Sequence, residues 1–393
     1  MQWRIVPVFL LTVFHGMAAH SSTVVVIEFQ NKSPYSDLNW VGESIADRLM
    51  NEFAANGQIV PTRAERQETE RRLSLRPGAD YTKATLVHIG QTLDADVLCF
   101  GNFTITLPSP EAQLKDSSIR IAAQFLDLRK MHFGPEISEA GQLSELSRLE
   151  GHLAFESLRY LQPDANLKLD HFVSAQKTVH LEAEESYTRG LLSSNKEQRQ
   201  KWFLQATAVD NKFPGAVFEL GKLALEQKQY PQALDWFRRI STDDPNYAEA
   251  RFKMGLAAYN GGDYVNAGNY FREVVRTYPL SEIYNNLGAA EAQIDPAAGI
   301  VDLRHALESD PHATTYLFNL GWALIKAVQY EEATRVLQQI LARSDDPEAQ
   351  VLIDHARRRT AFGPEDKIPA LRLKSSFNGT AFRQLKAMVQ TKQ

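Results

Sequence analysis

One cysteine in 393 residues, Cys99, excludes an internal disulfide, so the folded chain depends on its hydrophobic cores alone. Cys99 sits in the β-rich run ADVLCFGNF and reads as a small buried hydrophobe, not a nucleophile. Positive charge is in short supply as well: 43 Lys and Arg against 48 Asp and Glu leave a net charge of −5, which argues against a nucleic-acid partner. Phosphate-loop, dinucleotide, HExxH and GxSxG patterns are all missing, and the ten histidines show no ligand-like spacing. His305, His312 and His355 read as surface or packing residues of helices. No catalytic residue, metal site or cofactor is therefore expected, and the chain reads as a binding protein, not an enzyme.

Long apolar runs are lacking too. The stretch from Ile5 to Phe14 is far short of the ~20 residues a membrane-spanning helix needs. It follows Arg4 and precedes the small residues Gly16, Ala18 and Ala19, which is the order of a secretory signal. Residues 1–19 are therefore expected to be a signal peptide, cleaved to leave a periplasmic chain with no integral membrane span. No cysteine follows the run, so a lipid-anchored form is not expected.

What is present falls into two halves of different period. Residues 22–163 alternate strand and helix patterns. TVVVIEF (23–29) is a short β-branched run, and Val41, Ile45, Leu49 and Phe53 place an apolar stripe on a helix. QIVPT reads as a second short strand, and RAERQETERRL as a solvated charged helix. Leu86, Ile89 and Leu93 mark another helix, leading into the strand ADVLCFGNFTITL. Ile119, Ile121, Ala123 and Phe125 alternate as an antiparallel strand with one buried face, EISEAG forms a last short strand, and LSELSRLEGHLAFESLRYL closes the unit as an amphipathic helix. The expected fold is an α/β domain with a mixed sheet and helices.

The order VVVIEFQNKS, WVGESIADRLMNEF, IGQTLDADVLCFGNFTI and RIAAQFLDL resembles the TolB-type N-terminal domain, over roughly residues 23–162. That resemblance implies a docking module without catalysis, of the kind found ahead of tetratricopeptide arrays in bacterial envelope and regulatory proteins. It carries no individual functional residue.

Residues 164–180 read as a linker, beyond which the period is helical throughout. Leu220-Gly221, Met254-Gly255, Leu287-Gly288 and Leu320-Gly321 recur at intervals of 34, 33 and 33, and Pro245, Pro279, Pro311 and Pro347 follow them. Ala233, Ala267 and Ala333 lie twelve residues after three of the glycines, and Phe237, Phe271 and Leu337 sixteen after. In the third, shortened unit Gly299 takes the alanine's place. Small residues suit the close crossing of two helices, and proline ends each second helix. This pattern resembles the tetratricopeptide repeat (TPR). It implies an all-α TPR solenoid over 181–346, with about four good repeats, an atypical first unit carrying Trp202, Phe203 and Ala206, and a capping helix and tail over 347–393.

In such a solenoid the first helix of each pair lines the groove. Alignment on the glycines places Phe218, Lys222 and Leu225 there, then Phe252, Leu256 and Tyr259, then Asn285, Ala289 and Ala292, then Phe318, Trp322 and Ile325. Phe218, Lys222, Phe252, Tyr259, Asn285, Phe318 and Trp322 are the candidate partner-binding residues. For Phe218, Phe252 and Phe318, packing between repeats is the open alternative. Lys222 is the lone cation among them, so an extended, partly apolar peptide or a partner's helix fits better than a carboxylate. The tail carries a stripe of Phe382, Leu385 and Val389 and has three placements open to it: a simple cap, its own groove, or the first domain. The functional expectation is a protein–protein scaffold of the bacterial envelope. The alternative is a regulatory subunit that activates a cell-wall or surface-appendage enzyme through its first domain.

Overall fold

The computed structural model describes residues 22–76, 78–109, 116–174, 180–360, 362–363, 366–376 and 378–390. The signal-like stretch 1–19 lies outside the described residues. In the first half, strands β1 (Val24–Val26) and β2 (Gln30–Asn31) both run parallel to the central β3 (Val97–Thr106). On its other edge β3 pairs antiparallel along its full length with β4 (Ser118–Asp127), which also pairs with β5 (His132–Phe133) and β6 (Ile137–Gln142). The sheet is mixed, as the alternation of strand and helix patterns implies.

One face of the sheet is covered by α1 (Trp40–Ala55) and α4 (Leu146–Leu161). Here Val24, Val26, Phe103, Ile121 and Phe125 pack against Ile45, Leu49, Phe53, Leu149 and Leu153, and Cys99 is buried among them. The opposite face sets Val25, Ile27, Leu98 and Leu126 against Leu86 and Ile89 of α3 (Lys83–Thr92). Adjacent strand residues thus alternate between two cores, as the two-residue period requires. The QIVPT strand reduces to a single parallel bridge between Thr23 and Ile59, because Pro61 offers no N–H and Thr62 already caps the next helix. That helix, α2 (Arg63–Arg72), departs from the solvated expectation: Arg66, Thr69 and Glu70 are buried. Arg66 donates to both carboxylate oxygens of Glu43 on α1, and to the Val26 carbonyl at 3.2 Å. A charged helix face is buried here because its counter-charge arrives from another helix.

After the short α5 (Leu169–Ser174) every regular element among the described residues is a helix. Helices pair as α6 (Leu181–Leu192) with α7 (Lys196–Val209), α8 (Pro214–Glu226) with α9 (Tyr230–Phe237), and α10 (Tyr247–Asn260) with α11 (Tyr264–Val275). Then follow α12 (Ser281–Ala292) with α13 (Pro296–Ser309), α14 (Thr314–Lys326) with α15 (Tyr330–Leu341), and a closing α16 (Pro347–Arg358). A last helix, α17 (Gly379–Gln390), stands apart from this series.

The repeat glycines are explained by the large side chain opposite. A Cβ on Gly221, Gly255 or Gly321 would lie 2.6, 2.5 or 2.4 Å from Phe237, Phe271 or Leu337, the large residues sixteen positions on. Gly288 meets Leu303 at 2.7 Å in the shortened unit, and Gly190 meets Phe203 at 2.4 Å in the atypical first one. Each hairpin is therefore locked by one side chain resting on bare backbone. Among the described residues, no helix is long and apolar enough to cross a membrane.

Candidate functional site

Two residues before each repeat glycine stands a polar side chain: Glu219, Lys253, Asn286 and Asn319 on α8, α10, α12 and α14. Asparagine is a poor residue for a helix interior unless its amide has partners. Asn285, Asn286 and Asn319 are fully buried, so their amides require them. The partners are the main chain of the tail. Asn319 donates Nδ2 to the Arg372 carbonyl at 2.8 Å and accepts the Arg372 N–H at 2.8 Å. Asn286 does the same at Lys374, at 2.8 Å in both directions. Asn285 donates to the Arg372 carbonyl at 3.0 Å and to Asn286 Oδ1 at 3.1 Å and accepts from Asn319 at 2.8 Å, tying the two clamps together.

The N–H and C=O of residues 372 and 374 point to one side, as alternate residues of an extended chain do. Two further contacts prolong the row. Trp322 donates Nε1 to the Pro369 carbonyl at 3.1 Å, and Lys253 donates Nζ to the Ser375 carbonyl at 2.9 Å. The tail runs from the last repeat toward the earlier ones, with Trp322, Asn319, Asn286 and Lys253 meeting 369, 372, 374 and 375 in turn.

Side chains of this strap, residues 368–376, are held as well. Leu371 is buried in the cluster that contains Phe318, Trp322 and Leu352. The Arg372 guanidinium lies 3.6 Å from the centre of the Phe318 ring and grips Asp346 with two bonds of 2.7 and 2.9 Å. A third bond, 2.7 Å long, goes to Glu348. The Arg372 hydrogen bonds hold the Asp346 carboxyl below the usual carboxylate range. Lys374 lies 5.4 Å from the centre of the Tyr316 ring, and burial pushes the Tyr316 hydroxyl up to about 12.

The candidates chosen from sequence separate into groups. Asn285, Phe318 and Trp322 come together around the strap, and the Phe318 ring serves both core and guanidinium. Phe218 and Phe252 are buried, their rings 5.8 and 5.6 Å from Phe237 and Phe271, so packing within each hairpin accounts for their recurrence. Tyr259 is half-buried, meets the Tyr264 ring edge-to-face and accepts from Gln293 at 3.3 Å; burial raises its hydroxyl to about 12. Lys222 pairs with Glu219 at 2.8 Å. Sequence reasoning missed Lys253, Asn286 and Asn319. The signal was one position away from the column chosen: polar residues repeating on otherwise apolar helices.

A second hollow, of 210 Å³, opens on the sheet beside Glu28, Asp80, Tyr81 and Glu136. Burial, then the neighbouring Glu43, raise the Glu28 carboxyl to about 7. Among the described residues no group of three or more His, Cys, Asp or Glu is placed to hold a metal ion.

Residues 201–248 and 218–282 match the tetratricopeptide repeat family model, which shows such repeats across α8 to α11. Among curated proteins, none matches the sequence. Solved structures similar to this chain include YrrB, a TPR protein with an unusual peptide-binding site, at 14% identity and a TM-score of 0.40, covering 52% of this chain and 98% of that one. MamA from Desulfovibrio magneticus RS-1 is 19% identical with a TM-score of 0.37, covering 42% of this chain and 96% of its own. The LpoB C-terminal domain from Salmonella enterica is 14% identical with a TM-score of 0.24, covering 31% and 83%.

Proposed function

We propose that this chain is a non-enzymatic interaction protein of the bacterial envelope, exported by its first nineteen residues. Its repeat groove holds an extended segment of a partner protein, while the TolB-like α/β half docks elsewhere. The observation that carries the reading is the pair of carboxamide clamps, Asn286 and Asn319, each engaging both main-chain groups of one residue. Such clamps bind any extended chain, because they satisfy a peptide unit and do not touch its side chain. Asn285, Phe318 and Trp322 complete the surface, and Lys222 and Tyr259 stand on the first helices of the two earlier pairs, α8 and α10.

Photo-crosslinking in living cells tests this. A crosslinking residue at Lys222 is expected to capture an envelope protein, and capture should drop when Asn286→Ala and Asn319→Ala are added. The same residue at exposed Val301 on α13 serves as the control. Identical adducts from both positions, or adducts indifferent to the asparagines, would overturn the groove reading.

A further inference from the structure

The main-chain clamps do not choose a sequence, yet the groove does more than clamp. Around one strap residue it gathers an aromatic face, a bidentate carboxylate and a second carboxylate, from Phe318 on α14 and from Asp346 and Glu348 at the start of α16. That set fits a planar, forked cation; the compact ammonium of lysine cannot make the paired bonds while lying flat on a ring. Beside it Leu371 fills an apolar site, and Leu373 packs half-buried against two repeat clusters. Arginine between two leucine-sized residues, with a lysine after them, is thus the side-chain pattern that the groove accepts.

The strap is also a poor candidate for a permanent cover. The array already ends in α16, which closes its apolar face. The floor beneath the strap includes three asparagines, which water can satisfy once the strap leaves, unlike a bare hydrocarbon core. Residues 366–376 carry no helix or strand of their own.

Resting on the groove reading above, we infer that the groove is specific for an extended partner segment of the pattern apolar-Arg-apolar-Lys. The chain's own residues 368–376 are the resident occupant that such a segment displaces. Tethering gives the resident occupant a high local concentration, so an incoming segment competes at a disadvantage until the strap is weakened.

The test uses the full-length chain and a fluorescein-labelled peptide, Ala-Leu-Arg-Leu-Lys-Ser, followed by anisotropy. Arg372→Glu sets a carboxylate against Asp346 and Glu348 and so opens the groove; Leu371→Asp is a second opening variant should the first fail to fold. Each folded opened chain is expected to bind the peptide roughly tenfold or more tighter than the wild-type chain. It should also bind the peptide roughly tenfold or more tighter than its Ala-Leu-Ala-Leu-Lys-Ser counterpart, which loses a charge-assisted fork. Equal binding of both peptides, or of neither by a chain that melts as wild type does, overturns the specificity. A dimer formed by exchanged tails that takes up no peptide overturns it too. Arginine-selective binding that survives Asn286→Ala and Asn319→Ala instead sinks the groove reading.

Discussion

At Val328 the backbone adopts φ 63°, a left-handed conformation in which a β-branched side chain is strained. The position is the hairpin turn seven residues after the repeat glycine. Gly262 fills it in the unit of α10 and α11 at φ 84°, and Lys228 in that of α8 and α9 at φ 60°. Val328 is 64% exposed and so has little packing to lose. Val328→Gly is expected to stabilise the fold by about 1 kcal/mol, and Gly262→Val to destabilise it by a similar amount, both read by urea unfolding. Gly255→Ala should cost more, about 1–3 kcal/mol, because the new methyl meets the Phe271 ring at 2.5 Å. Phe271→Leu in the same chain should recover part of that loss, and strict additivity would contradict the account. These glycines were legible because a fixed interval exposes them. The clamp asparagines were not, since the column of aromatics one position earlier looks more like a binding surface. Burial, which sequence does not display, decided between the columns.

Among the elements, α2 shows where reading charge as exposure fails. Its arginines look solvated until Glu43 of α1 is placed against Arg66 and, at 2.7 Å, against Arg63. Arg63 also donates to the Leu191 carbonyl of α6 at 2.6 Å, so the network joins the sheet half to the first repeat helix. Two carboxyls in this junction are raised to about 7. Glu28 is raised by burial and then by Glu43 and Glu70 against Arg66, and Asp47 by burial and then by Glu43 and Glu219 against Arg63 and Arg66. A carboxyl whose folded pKa exceeds its unfolded value favours the fold while both states are protonated. That advantage goes as pH climbs from about 4 through 7. The melting temperature is therefore expected to fall from pH 5 to pH 8, and Glu28→Gln with Asp47→Asn to flatten the slope and raise the pH 8 value by a few degrees. An unchanged slope in calorimetry would contradict the assignment. The helices and strands themselves were largely legible from their periods. Their charged faces were not, because partner charges lie far apart in the chain.

Across the whole molecule the tail is the connecting part. After the strap, α17 sets Phe382 against Tyr278 of the array, with ring centres 4.9 Å apart, and Lys386 donates to the Pro245 carbonyl at 2.8 Å. Arg383 reaches Glu65 of α2 with two bonds, 2.9 and 3.0 Å long, across 318 residues of sequence. Of the placements open to the tail, it takes both the groove and the first half. Arg383 is mostly buried in this pair while Glu65 stays open to water, so Arg383→Ala should lower the melting temperature by no more than a few degrees while speeding tryptic cleavage after Lys386. The two halves and the repeat could be read from sequence; the path of the tail could not, since it rests on main-chain bonds that leave no mark in the sequence and on side-chain partners such as Asp346 and Phe318 that only the fold brings to Arg372.

The central claim is that Asn286 and Asn319 hold an extended backbone in the groove, and amide hydrogen exchange at Arg372 and Lys374 tests it most directly. In the wild-type chain both amides are expected to be protected. In Asn286→Ala with Asn319→Ala they should exchange as fast as an unstructured segment, while the helices keep their protection. Intrinsic exchange at both amides in the wild-type chain, or protection that survives the loss of both asparagines, would contradict it.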